Sequence, residues 1–199
     1  MHPIVHFDLE TGGLALEHPI IQIAAVAAMP NGQIVREFQR KIDFDRHEAD
    51  PEALKINHFD EAVWQKEQKP LVQVLAEFAG FLKPYCFTEM ISKRTGKGYM
   101  VARLAGYNCA TFDMPRLSRA YKEFMIFLPA HPAPYDVMQL AMWHFLGYAR
   151  KPASFKLADV CAYCGIPIDG AHDALVDVKA CAALAASLMG MDQQKGDEE

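Results

Sequence analysis

Three apolar segments joined by short turns occupy the first 42 residues, and their spacing constrains the fold more than any other feature. Residues 3–8, PIVHFD, form a brief apolar run that ends in an acid. Residues 20–28, IIQIAAVAA, are longer and β-branched at the start. Residues 33–42, QIVREFQRKI, alternate partially after the turn signal Pro30-Asn31-Gly32. Runs of this kind, bounded by Gly- and Pro-marked turns, predict three consecutive strands of one sheet.

The periodicity then changes. Leu71, Val72, Val74, Leu75, Phe78, Phe81 and Leu82 recur at helical spacing between Pro70 and Pro84. Residues 92–98, SKRTGKG, read as a polar, basic loop, and residues 101–107 as a further strand. A helix is predicted from about Met114 to Phe124, followed by helical stretches over 135–145, 156–164 and 173–189. Strands first, then helices interleaved with another strand, predict an α/β domain with a mixed sheet. There is no internal repeat and no Pro/Ser-rich linker, so residues 1–190 read as one domain. Residues 191–199, MDQQKGDEE, read as an acidic tail expected to fray.

Composition narrows the function. With 20 Lys and Arg against 25 Asp and Glu, the chain does not bind polyanions simply by being basic. The five cysteines are an odd set without disulfide-framework spacing. The opening MHPIVHFDLE lacks the basic and long apolar regions of a signal peptide, and no uncharged apolar run reaches the roughly 18 residues of a membrane helix. The expectation is a soluble cytoplasmic protein with reduced thiols and no membrane association. Cys161-Ala162-Tyr163-Cys164 has CxxC spacing, but no second CxxC or His pair comes after it, so it reads as two buried or half-buried thiols.

Asp8 and Glu10 stand two residues apart at the end of the first strand, which projects both carboxylates from one face. Two acids there repel each other, unless the strand end simply opens into solvent. Thr11-Gly12-Gly13 comes next, small residues where another molecule's backbone can approach closely. Asn108-Cys109-Ala110-Thr111-Phe112-Asp113 leaves the later strand and enters a helix, where Asp113 would also serve as a cap. His172-Asp173-Ala174-Leu175-Val176-Asp177 opens the last helix, whose alanine-rich body suits close packing on a sheet.

Taken together, DLETGG, NCATFD and HDALVD resemble the three motifs of the DEDDh superfamily of 3′→5′ exonucleases, which includes polymerase proofreading subunits and RNase T-like enzymes. The motifs come in the family's order, and the likeness runs over about residues 3–189, with PEALKINHFD, YDVMQLA and SFKLADVCAYCGI as supporting stretches. In one place the chain departs: Cys109 stands where the family has an asparagine, and Asn108 lies one residue earlier. The resemblance implies an RNase H-like mixed β-sheet flanked by helices. It makes Asp8, Glu10, Asp113 and Asp177 the metal-binding acids and His172 the fifth catalytic residue. It also places Thr11, Gly12, Leu14 and Asn108 beside the substrate.

The chemistry accounts for these residue types. Two divalent ions about 3.5–4 Å apart stabilise the attacking and leaving oxygens of an in-line displacement at phosphorus. Hard cations such as Mg²⁺ or Mn²⁺ take oxygen ligands, which carboxylates supply. His172, with an unperturbed pKa of about 6.5, suits a general base that takes the proton of the attacking water. The implied activity is release of nucleoside 5′-monophosphates from a free 3′ end, with DNA favoured over RNA and a polymerase or repair protein as possible partner. RNA trimming and a non-catalytic, polymerase-associated binding module are the alternatives. Residues 83–122 hold eight Lys and Arg against two acids, so Lys93, Arg94, Lys97, Arg116 and Arg119 are expected to hold the substrate backbone.

Overall fold

The computed structural model describes residues 1–168 and 173–190. The chain begins with β1 (Ile4–Thr11), β2 (Ile20–Ala28) and β3 (Ile34–Lys41), then short helices α1 (Pro51–Ile56) and α2 (Glu61–Glu67). Next come α3 (Leu71–Leu82), the hairpin β4 (Thr88–Ile91) and β5 (Gly98–Val101), β6 (Leu104–Gly106) and α4 (Asp113–Glu123). Finally β7 (Tyr135–Asp136) leads into α5 (Val137–His144), α6 (Leu157–Tyr163) and α7 (Ala174–Leu188). The main sheet has the order β3-β2-β1-β6-β7. Its first three strands are antiparallel neighbours, whereas β6 runs parallel to β1 and β7 parallel to β6.

β2 is buried at all nine positions because it is covered on both faces, which explains why its sequence does not alternate. β1 does alternate. Its Val5, Phe7 and Leu9 enter a core with Val74, Leu75 and Phe78 of α3 and Met114, Leu117 and Tyr121 of α4. Each large apolar side chain buried there contributes about 1.5–3 kcal/mol. His6, Asp8 and Glu10 lie on the opposite face, toward α7. That helix approaches through small side chains: Ala174, Val178 and Ala182 pack on Ala24, Val26 and Ala28 of β2. Gly106 brings β6 against β1, since a Cβ there would stand 2.7 Å from the Phe7 carbonyl oxygen.

Several elements differ from the sequence reading. The basic loop is the tip of the β4–β5 hairpin, with Thr88 paired to Val101 and Ile91 to Gly98. The strand expected over 101–107 is therefore divided: Val101 belongs to β5, Ala102 bridges to Ala130, and only Leu104–Gly106 joins the main sheet. The helix expected from Tyr135 starts two residues later, because Tyr135 and Asp136 extend the sheet beside β6. α1 and α2 are additional to the expected elements; Asp50 and Asp60 cap them by accepting from Glu52 N and from Ala62 N and Val63 N. All five cysteines are free thiols, with Cys161 buried and Cys164 half-buried. No helix among the described residues is long and apolar enough to cross a membrane. The acidic tail, residues 191–199, lies outside the described residues.

Candidate active site

Parallel pairing of β1 with β6 decides where the second motif goes. Because both strands run the same way, the segment leaving β6 arrives at the end of β1 that carries Asp8 and Glu10. After Gly106 the chain turns through Asn108, whose φ of 55° lies in the left-handed region that asparagine tolerates. Asp136 organises this turn, accepting from Asn108 N at 3.2 Å and Ala110 N at 3.0 Å while capping α5 at Met138 N. Asp113 then starts α4 but does not cap it. Its Oδ1 reaches back to accept the Leu9 N–H at 3.1 Å, so the second-motif acid is pinned to the strand between Asp8 and Glu10.

The third motif arrives from α7. Asp173 is the N-cap, accepting from Leu175 N at 2.9 Å and from Gln39 Nε2 of β3 at 3.2 Å. Asp177 stands in the first turn, on the side facing β1. His172 lies outside the described residues.

The acids act on one another. Burial first, then Asp113 and Asp177, holds the Asp8 carboxyl well above the usual carboxylate range. Burial, Asp8, Asp177 and Asp173 push Glu10 up to about 8. Burial carries Asp113 up to about 7, even though the Leu9 N–H favours its ionised form. Among the described residues no three His, Cys, Asp or Glu side chains close into a ready-made metal cage. Mutual repulsion nevertheless ties these carboxylates into one field. The donor set is all oxygen and its surplus charge is negative, so the residues fit a hard divalent cation rather than a soft one.

The turn after β1 is held from several sides. Thr11 is buried, and its hydroxyl donates inward to the Gly13 carbonyl at 2.8 Å. Asn57 Nδ2, just past α1, donates to the Thr11 carbonyl at 2.9 Å, and Asp50 N to the Gly12 carbonyl at 2.6 Å. The His18 ring fills the space beside Gly13, where a Cβ would stand 2.3 Å from Nδ1. Leu14 alone of the predicted substrate residues stands out, with 85% exposure. Asn108 is half-buried and its Oδ1 accepts the Thr111 hydroxyl at 2.7 Å. Cys109, in the place of the family's asparagine, is buried, and its Sγ lies 3.7 Å from the Tyr135 carbonyl.

The basic stretch divides in space. Arg116 and Arg119 of α4 donate to carbonyls of the turn after β1, those of Leu14 and Glu17. Lys93, Arg94 and Lys97 stand on the tip of the β4–β5 hairpin, whose base leads into the start of β6 and so springs from the end of β1 opposite Asp8 and Glu10. There His2 stacks on Phe87 with ring centroids 4.0 Å apart. Six residues of strand, about 20 Å, separate His2 from Asp8. One residue that positions the site was missed, Asp136. An acid immediately before a helical run was the available signal for Asp136. Arg116 was expected to hold the substrate backbone; it is buried instead, with its guanidinium on the Phe112 and Leu14 carbonyls.

This sheet order, with carboxylates gathered from β1, the start of α4 and the first turn of α7, defines an RNase H-like exonuclease fold. E. coli exonuclease I in complex with a dT13 oligonucleotide superposes with a TM-score of 0.71 at 16% identity, over 94% of this chain and 41% of that one. The zinc ion bound form of an E. coli exonuclease I–ssDNA complex gives 0.72 at 17% identity, over 97% and 41%. The RNase T exonuclease family model matches residues 96–185, which hold the second and third motifs. DNA polymerase III PolC-type from Streptococcus thermophilus is 30% identical over 185 residues. That match covers 90% of this chain, which spans 11% of the polymerase's length. By the family match over its second and third motifs and by its fold, the chain is similar to the 3′→5′ exonucleases of the DEDDh superfamily.

Proposed function

We propose that the chain is a cation-dependent 3′→5′ exonuclease that releases nucleoside 5′-monophosphates from the 3′ end of DNA. The observation that carries this reading is the shared electrostatic field of Asp8, Glu10, Asp113 and Asp177, brought by three separate segments to one end of the sheet. These four acids would hold two Mg²⁺ or Mn²⁺ ions. When bound, such ions stabilise the charge on the attacking and leaving oxygens of an in-line displacement. The protein's own part is to fix the carboxylates, above all through the Leu9 N–H on Asp113. His172 accepts the proton of the attacking water. His6, two residues before Asp8, does not compete for that role, because burial lowers its pKa to about 4. The backbone of Thr11 and Gly12, the exposed Leu14 and Asn108 align the terminal nucleotide.

Residues 1–190 would make up this single exonuclease domain, working in the cytoplasm, where five free thiols stay reduced. The likeness to a PolC-type polymerase favours DNA and a polymerase or repair partner. The test is incubation with 5′-labelled single-stranded DNA and RNA of matched sequence, with Mn²⁺ or with chelator. Stepwise shortening of DNA from the 3′ end, abolished by chelator, is the expected result. Preferential shortening of the RNA would reassign the substrate, and binding without shortening would leave a non-catalytic module.

A further inference from the structure

Arg116 lies one turn past Asp113 on α4 and is only 5% exposed. Its guanidinium carbon stands 3.6 Å from the centroid of the Phe112 ring. Nη1 donates to the Phe112 carbonyl at 2.8 Å, and Nη2 donates across to the Leu14 carbonyl in the turn after β1. Nε is buried and has no hydrogen-bond partner among the described residues. Stability is a poor explanation for this placement. A buried guanidinium costs free energy unless every donor is matched, and methionine would fill the same space without leaving an orphaned N–H.

What the arrangement does provide is a link between the helix that begins at Asp113 and the turn that carries Leu14. The same turn is tied on its other side by Asp50 and Asn57. Held from both sides, its backbone has little freedom, while the Leu14 side chain points outward at 85% exposure. A side chain presented from a fixed turn meets a bound molecule at one place relative to the acids. Placement within about 1 Å is what separates productive from unproductive binding.

We infer that Arg116 is a positioning residue: by holding the Leu14 carbonyl it sets Leu14 against the terminal nucleotide at a fixed distance from Asp113. This rests on the nuclease reading above. Arg116 works through the turn, so its loss should weaken binding of the 3′-terminal nucleotide more than it slows bond cleavage. Lysine keeps the charge but is a compact point donor that cannot reproduce the stacked, forked contact.

The experiment compares the parent with Arg116→Met, Arg116→Lys, Leu14→Ala and Arg116→Met/Leu14→Ala. Steady-state rates are measured on a short single-stranded oligonucleotide, with backbone hydrogen exchange over residues 11–18. Arg116→Met should raise KM about tenfold with kcat within about threefold of the parent, and should speed exchange in that segment. Arg116→Lys should recover kcat more fully than KM. Adding Arg116→Met to Leu14→Ala should raise KM by less than about threefold, because the side chain being positioned is already gone. Unchanged KM, unchanged exchange, or two effects that simply multiply would overturn the inference. If the parent shortens no oligonucleotide, the nuclease reading fails by itself. Exchange then still reports whether Arg116 holds the turn.

Discussion

Removing one negative charge from the acidic cluster should stabilise the cation-free protein, and Glu10→Gln is the variant that tests this. In the folded chain the Glu10 carboxyl is carried from 4.5 to about 8, chiefly by burial and then by Asp8, Asp177 and Asp173. The folded state therefore keeps a proton that the unfolded chain releases near pH 4.5. The stability this group contributes is complete below that pH and is lost as pH rises through about 8. At 1.36 kcal/mol per pH unit, the full rise corresponds to roughly 5 kcal/mol. Asp8 and Asp113 are raised in the same field and share the titration, so roughly 3 kcal/mol is assigned to Glu10 between pH 5 and 8.5. In a chain of this length 1 kcal/mol moves the melting temperature by about 2–4 °C.

Glu10→Gln should therefore melt roughly 6–12 °C above the parent at pH 8.5 in chelator, and within about 3 °C of it at pH 5. Mn²⁺ should close the gap from the other side. A single site at ten times its Kd adds about 1.4 kcal/mol to the parent, and the variant, lacking one ligand charge, should gain less. Thermal melts of both proteins at the two pH values, with chelator and with Mn²⁺, give the comparison. A parent that melts alike at pH 5 and 8.5 in chelator would show that Glu10 is not held protonated. A variant that gains as much at pH 5 as at 8.5 would show that its effect is not electrostatic. Either result removes the physical basis for a cation site.

His172→Ala should lower kcat by roughly 10²–10⁴ while fluorescence anisotropy reports unchanged oligonucleotide binding; a full rate across pH 6–9 would dismiss it as the base. Replacing Lys93, Arg94 and Lys97 together with Ser should leave the salt dependence of binding a short oligonucleotide unchanged, since the hairpin springs from the far end of β1. A flattened slope would mean that the bound strand reaches the hairpin after all. Gly13→Ala drives a Cβ into the His18 ring, 2.3 Å from Nδ1, and should cost about 1–3 kcal/mol in chemical denaturation. Adding His18→Ala should return much of that loss, and a Gly13→Ala protein as stable as the parent would mean the turn is not packed as described.

The parts of this molecule that were legible are those where one physical requirement acts over many residues. β2 needs apolar side chains on both faces, and nine consecutive positions record it. α3 buries one face over twelve residues, long enough for the helical period to emerge. β4 and β5 have four residues each and are mostly exposed or half-buried, and β7 has two, so no period develops. The acids were legible as residues, but their sharing of one field depends on the sheet. Neighbours in sequence are divided in space at residues 83–122, because a strand has two ends. The hairpin leading into β6 sits with the start of β1, whereas the turn leaving β6 sits with Asp8 and Glu10.

That same geometry determines what the fold must offset. Asp113 opens α4 and Asp177 lies in the first turn of α7, where the helix dipole favours an anion by about 0.3–1 kcal/mol each. The Leu9 N–H adds a hydrogen bond to a charged acceptor, about 1.5–3 kcal/mol. Against these stand burial and mutual repulsion, which still carry Asp113 up to about 7 and Glu10 to about 8. Dipole and hydrogen bond therefore lose to desolvation, and the acids resist ionisation at the pH where they would have to serve as ligands. A bound divalent cation would shift that balance toward the ionised acids. Asp8 and Glu10 share β1 with the core residues Phe7 and Leu9, which point to its other face. Alanines on α7 and β2 let helix and sheet approach closely enough for Asp177 to enter the field at all.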